Sequence, residues 1–268
     1  MNLAVTTDYV KDLGDPSPYL RRIADAGFTH VHWCHHWNTD FLYSQWEVAQ
    51  IKKWLSEYGL QLLDLHGSMG REKNWASPRE YERLAGVELV RNRMDMTARL
   101  RSDVVIMHIP GCLDCEPLRR SLDDLALFAR ELGVRIALEN LNNGSFEVVC
   151  KLISEYDPGY LGFCYDSGHG NVAGNGLDQL EQLKDRLISV HLHDNDGTSD
   201  QHNLIFSGTV DWERLAKTLA ESAYTKCVSM EVGIQDSGIE GETYFLKNAF
   251  DAGKRFTEMI EMSLDRRK

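Results

Sequence analysis

The sequence predicts an α/β fold, a single (β/α)8 TIM barrel spanning residues 1–268. Three observations predict it. Short β-branched runs alternate with amphipathic stretches from end to end. Eight such units in 268 residues come to about 33 residues each, near the ~30 of an average barrel. Several runs are almost continuously apolar, as parallel strands buried on both faces should be. A doubly wound open sheet shares the alternation, but the first strand lacks the glycine-rich phosphate turn common in that fold.

In order, the strands are read at LAVTT (3–7), HVHWC (30–34), QLLDLHG (61–67), DVVIMHIP (103–110), RIALEN (135–140), LGFCYDSGH (161–169), LISVHLHD (187–194) and KCVSMEV (226–232). Between strands 3 and 4, Leu84, Val87, Val90, Met94 and Ala98 fall on one helical stripe. Ser77 and Pro78 open that helix, and Glu80 completes a capping box. Gly27, Gly59 and Gly133 stand where helices should end, just before the next strand. No Pro/Gly/Ser-rich linker or low-complexity tract divides the chain.

A hydrophobic content of 43% with 26% charged residues excludes a disordered or collagenous chain. No apolar run approaches the ~18–20 residues of a membrane helix, and the N-terminus has no signal-peptide pattern, so a cytoplasmic protein is expected. Lys and Arg number 29 against 41 Asp and Glu, a net charge of −12, which disfavours phosphate-neutralising partners such as nucleic acid. Cys34, Cys112, Cys115, Cys150, Cys164 and Cys227 are read as reduced thiols, and the lone CxxC of Cys112 and Cys115 lacks a partner pair for zinc.

In a barrel, chemistry is built at the C-terminal strand ends. Here those ends carry His66, His108, Glu139, Asp166 with His169, His191 and Glu231, while Asp200 and His202 follow in the loop after strand 7. Each alone has a bland reading, as a hydrogen-bonded histidine or a helix cap. Together they do not. Carboxylates inside apolar runs such as ALEN and SMEV are costly to bury unpaired, and no Lys or Arg stands at these ends to neutralise them. A divalent cation solves that problem, and the oxygen-and-imidazole set suits Zn or Mn, with Co or Fe also possible. Cys164 should lie deeper on the face of Asp166, as packing.

With those residues in view, the chain resembles the xylose isomerase-like barrel superfamily, which joins sugar isomerases and epimerases with endonuclease IV. In the ketose 3-epimerases the resemblance implies one metal on Glu139, Asp166, His191 and Glu231, with the two glutamates exchanging the substrate proton from opposite faces. His66 and His108, and His169 with Asp200 and His202, resemble the further zinc ligands of the endonuclease branch. One ion is expected, and up to three have candidate ligands.

The predicted mouth loops decide between the branches. Their basic residues are Lys11, Arg71 and Lys73, outnumbered several-fold by acids, so a duplex would meet a negative rim and a neutral sugar would not. Trp33, Trp37, Phe41, Trp75 and Phe206 lie in or beside these loops, where flat faces could cover a sugar; Trp33, Trp75 and His169 are the candidate substrate contacts. His35 and His36 are polar candidates, and His193 and Asp194 candidate orienting partners of the ligands. Gly197 and Thr198 stand where ketose 3-epimerases carry a substrate-holding Arg, which counts against ketohexose 3-epimerisation itself. The expected activity is thus isomerisation or epimerisation of an α-hydroxycarbonyl sugar through an enediolate, with Glu139 and Glu231 as acid and base. An abasic-site endonuclease is the alternative; a dehydratase, or a sugar-binding protein without activity, comes after it. A homo-oligomer is compatible with all of these.

Overall fold

The computed structural model describes residues 2–37, 42–68, 70, 72–109, 115–142, 145–235 and 237–265. Phe41, Arg71 and Cys112 lie outside the described residues. The strands are β1 (Leu3–Thr6), β2 (His30–Trp33), β3 (Gln61–His66), β4 (Val104–Met107), β5 (Arg135–Glu139), β6 (Leu161–Asp166), β7 (Leu187–His191) and β8 (Val228–Met230). They form one sheet in the order β7-β6-β5-β4-β3-β2-β1-β8. The pairings are parallel, with Val5 beside Val31 and Ala4 beside Ser229. The sheet's two ends meet through a bridge of Leu192 with Met230. There the Leu192 amide donates to Ser229 O (3.0 Å) and the Glu231 amide to Leu192 O (3.1 Å). The chain is a (β/α)8 TIM barrel.

Pleating sorts each strand into two faces. Val104 and Ile106 of β4 pack with Ala137 and Cys164 in a small cluster, whereas Val105 and Met107 join the large core shared with the helices. The helices are α1 (Ser17–Asp25), α2 (Gln45–Tyr58), α3 (Glu80–Arg99), α4 (Glu116–Leu132), α5 (Phe146–Glu155), α6 (Ser167–Ala173), α7 (Gly176–Leu183), α8 (Trp212–Ala220) and α9 (Glu242–Asp265). Ser44 and Glu47 form a reciprocal capping box on α2, and Gly59 and Gly133 end α2 and α4 in the left-handed conformation. No described helix is long and apolar enough to cross a membrane.

The start of α3 differs from expectation. The helix begins at Glu80, and Ser77 Oγ donates to Glu82 Oε2 (2.7 Å) rather than boxing with Glu80. Glu80 is drawn outward by Arg83 (2.7 Å) and Arg120 (2.6 Å). Val87, Val90 and Met94 are buried as expected, but Leu84 is 48% exposed. The buried stripe runs instead past Gly86, where a Cβ would lie 2.2 Å from Trp75 N, so α3 rests directly on that backbone.

The strands stop short of the predicted runs at their C-terminal ends. Residues 167–169 leave β6 to open α6, because the Asp166 carboxylate caps the helix by accepting from the His169 amide (2.6 Å). In β2 a register shift between Val31 and His32 re-aims the strand end and sets His32 beside Asp64.

Candidate metal centre

Four side chains from successive strand ends converge. Glu139 ends β5, Asp166 ends β6, His191 ends β7, and Glu231 follows β8. Each offers a ligand atom within 4.8 Å of the other three, and all four residues are buried. His191 Nδ1 lies 3.2 Å from Glu139 Oε2 and 3.0 Å from Glu231 Oε2. Yet neither Glu139 oxygen nor either His191 nitrogen has a hydrogen-bond partner among the described residues. Close in distance but misaligned for each other, these groups have the geometry of donors aimed at something shared. Buried orphan polar atoms cost about 1–3 kcal/mol each, so four of them call for an occupant. The residues fit a divalent cation.

Two further groups flank the four. His66, His108 and Glu139 form one, with His66 Nε2 3.1 Å from His108 Nε2 and His108 Nε2 3.4 Å from Glu139 Oε1. The other is His193, Asp200 and His202. His193 Nε2 reaches the Asp166 carboxylate at 3.1 Å, and its ring stacks on His202 at 4.1 Å. His169 links both sides, with Nδ1 3.2 Å from Glu139 Oε1 and Nε2 3.1 Å from Asp200 Oδ2.

The outer nitrogens are tied down. The Nδ1 of His66 faces Gly67 O (2.9 Å), that of His169 faces Asn140 O (3.0 Å), and that of His202 faces Glu231 O (2.9 Å). Each backbone carbonyl holds a hydrogen on Nδ1 and turns Nε2 inward, the arrangement typical of metal-binding imidazoles. Asn140 braces β6 by donating to Asp166 O (2.9 Å) and accepting the Asp166 amide (2.7 Å).

Electrostatics follows from this crowding. Burial opposes charge on Glu139 and Glu231, but neighbouring imidazoles, His191 first, hold both carboxyls well below the usual range. Burial likewise opposes protonation of His191, His169 and His202. The carboxylates win, lifting His191 well up, His169 to about 12 and His202 to about 10. His66 goes the other way, to about 3, through burial and the adjacent His108 charge. In the metal-free chain, protons therefore balance the acids.

Other candidates lie elsewhere. Trp33 is 1% exposed, its ring N–H donating to His35 O (3.0 Å), and Trp75 is 0% exposed, donating to His108 O (3.3 Å), so both are sealed in packing. Trp37 packs on Trp54, and Phe206 lies beneath the Arg255 guanidinium. His35 is buried against Gly14 O (2.7 Å), whereas His36 meets Ser68 Oγ (2.8 Å) on the cavity wall. Asp194 accepts from the Asn195 and Val210 amides and from Trp212 Nε1 (2.8 Å), pinning the loop that carries Asp200 and His202. Sequence reasoning missed His32 and Asp64, a fully buried pair at 2.8 Å whose His32 ring lies 4.3 Å from that of His191. The signal was available: Asp64 is a carboxylate within an apolar run, the argument already applied to Glu139.

The cavity over these groups encloses ≈ 400 Å³ and is lined by Asp8, Cys34, His36, His66, Gly67, Ser68, His108, Glu139, His169, Asp200, His202 and Glu231. No Lys or Arg lines it among the described residues.

An eight-stranded barrel with carboxylates and imidazoles gathered at the C-terminal strand ends defines a class with known members. The chain belongs to the xylose isomerase-like TIM barrel family, whose model matches residues 20–249. It is 31% identical over 281 residues to the uncharacterized protein y4fM of Sinorhizobium fredii, covering 92% of this chain and 90% of that one. A probable endonuclease 4 of Mycobacterium leprae is 26% identical over 185 residues, 61% of this chain and 71% of the relative. Among solved structures, a D-tagatose 3-epimerase-like protein superposes with a TM-score of 0.80 at 23% identity, covering 100% of both chains. A D-psicose 3-epimerase gives 0.75 at 20% identity over 98% of this chain and 99% of that one. At such identities these two likenesses establish the fold alone.

Proposed function

We propose that the chain is a metal-dependent sugar isomerase or epimerase acting on an α-hydroxycarbonyl substrate. One observation carries the reading: Glu139, Asp166, His191 and Glu231 lie within 4.8 Å of one another, with Glu139 and His191 lacking hydrogen-bond partners among the described residues. These four residues would hold a divalent ion, Zn, Mn or Co by the chemistry of the donors. Such an ion supplies Lewis-acid polarisation of a substrate carbonyl oxygen.

The chain's own residues do the rest. Glu139 and Glu231 approach His191 from β5 and β8, so a substrate carbon between them has a carboxylate on either side. The one that is ionised takes the C–H proton, and the proton returned to the same or the adjacent carbon comes from that carboxyl or from the other in its protonated form. His169 and His108 bracket Glu139 at 3.2 and 3.4 Å and line the cavity in which the substrate would lie. The solved-structure neighbours titled as sugar 3-epimerases support the sugar reading, as does a cavity wall bearing acids and imidazoles but no described Lys or Arg.

A second reading, phosphodiester hydrolysis, is favoured by the two flanking ligand groups and the endonuclease 4 relative. The test separates them. Glu139→Gln and Glu231→Gln should each abolish solvent-deuterium incorporation into a sugar that the wild type exchanges. Undiminished exchange overturns the acid–base assignment, and cleavage of abasic-site duplex far faster than any sugar exchange establishes the hydrolase.

A further inference from the structure

Of the described buried nitrogens that the four-residue group does not explain, His32 Nε2 is the one within 4 Å of a Glu231 oxygen. His32 is fully buried at the end of β2, and its Nε2 has no hydrogen-bond partner among the described residues. Its tautomer is fixed. Asp64 accepts from Nδ1 at 2.8 Å while its other oxygen accepts from Ser189 Oγ, so the ring hydrogen is on Nδ1 and Nε2 presents a lone pair. Directly ahead, at 3.8 Å, is Glu231 Oε1, a second acceptor. That distance is too long for a hydrogen bond. It suits two ligands of one ion, since donors ~2.0–2.3 Å from a tetrahedral cation sit about 3.5 Å apart.

The third donor is Cys34. Its Sγ lies within 4.8 Å of the His32 and Glu231 ligand atoms. It follows the end of β2, is only half-buried and lines the ≈ 400 Å³ cavity, so it is reachable from solvent.

We propose that His32 Nε2, Cys34 Sγ and Glu231 Oε1 form a site for a thiophilic divalent cation of the zinc type, sharing only Glu231 with the four-residue group. The Asp64–His32 pair supplies the carboxylate–histidine support that metal-binding imidazoles characteristically have. The thiol supplies the selectivity, because sulfur favours zinc, cadmium or cobalt over magnesium or manganese, whereas the neighbouring four-residue group is all oxygen and nitrogen. On binding, the Cys34 S–H bond breaks and an S–metal bond forms. The proton leaves to solvent across the cavity that Cys34 lines. Glu231 then has one oxygen toward each group, Oε1 toward His32 and Oε2 toward His191. The inference does not depend on the reaction proposed above.

Cobalt reports on it directly. Wild-type protein saturated with Co²⁺ should show a near-ultraviolet thiolate-to-cobalt charge-transfer band beside visible ligand-field bands. Cys34→Ser should lose the first, keep the second, and hold one zinc fewer per chain by elemental analysis. Cys164→Ser, which removes the thiol beside Glu139 and His191, should keep the band. A band that survives in Cys34→Ser, or is missing from the saturated wild type, overturns the assignment. Without any variant, zinc should slow iodoacetamide alkylation of Cys34, read by peptide mapping; equal rates with and without zinc would also overturn it.

Discussion

Gly168 is the most informative single position for the architecture of the candidate site. It lies in the first turn of α6, directly beneath His193. A Cβ there would be 1.8 Å from His193 Cε1, 2.4 Å from Nδ1 and 2.6 Å from Nε2. Ordinary carbon contacts are about 3.5–4.0 Å, so in Gly168→Ala the ring must retreat by roughly 1.5–2 Å. It would then leave the Asp166 carboxylate, which it meets at 3.1 Å, and unstack from His202. Losing a charge-assisted hydrogen bond costs about 1.5–3 kcal/mol. Alanine's better helix propensity returns up to ~1 kcal/mol. The net loss is about 0.5–3 kcal/mol, a fall in Tm of roughly 1–12 °C for a chain of this size. Calorimetric melting, with cation titration of the same samples, reads both stability and the centre. Unchanged melting and unchanged cation affinity would refute the placement of His193 against Asp166.

Two other expectations concern pH and the loop after β7. In chelator-treated protein, His202, lifted to about 10, and His191, also raised, contribute stability that is complete below their unfolded value of ~6.5 and lost as pH rises. The lowered Glu139, Glu231 and Asp200 contribute stability complete above ~4.3 and lost as pH falls. Burial-lowered His66 contributes in the opposite sense, its stability lost as pH falls below ~6.5. Metal-free Tm should therefore peak at about pH 6–7, and added Zn²⁺ or Mn²⁺ should raise it most near pH 8, where fewer protons compete; a chelator-insensitive Tm at pH 8 contradicts this. Trp212→Phe removes the donor to Asp194 Oδ2 and leaves a buried carboxylate oxygen short of one bond. A loss of about 1–3 kcal/mol is expected, with faster amide exchange in 196–210, and unaltered exchange there would show that Asp194 does not anchor the loop.

The barrel was legible because its signal is repeated: each unit shows an apolar run, an amphipathic stretch and a turn residue. Strand ends were less so. The predicted strand 6 ran to His169 because the sequence stays compact and uncharged after Asp166, whereas the carboxylate's capping bond turns the chain into α6. Glu139 and Glu231 stood out as acids in apolar runs, and the structure gathers them with Asp166 and His191. His193 was read only as an orienting partner, since its place in the Asp200–His202 group depends on the loop folding back under Asp194. The two tryptophans show the converse: an indole near a predicted mouth says nothing of which way the ring faces, and Trp33 and Trp75 turn inward.

β8 has three residues and joins β7 through the bridge at Leu192 and Met230. The wall is thus thinnest where His191 and Glu231 stand on either side of the join, 3.0 Å apart. An ion gripped by both would act as a clasp across that seam, so loading the centre would also fasten the cylinder shut.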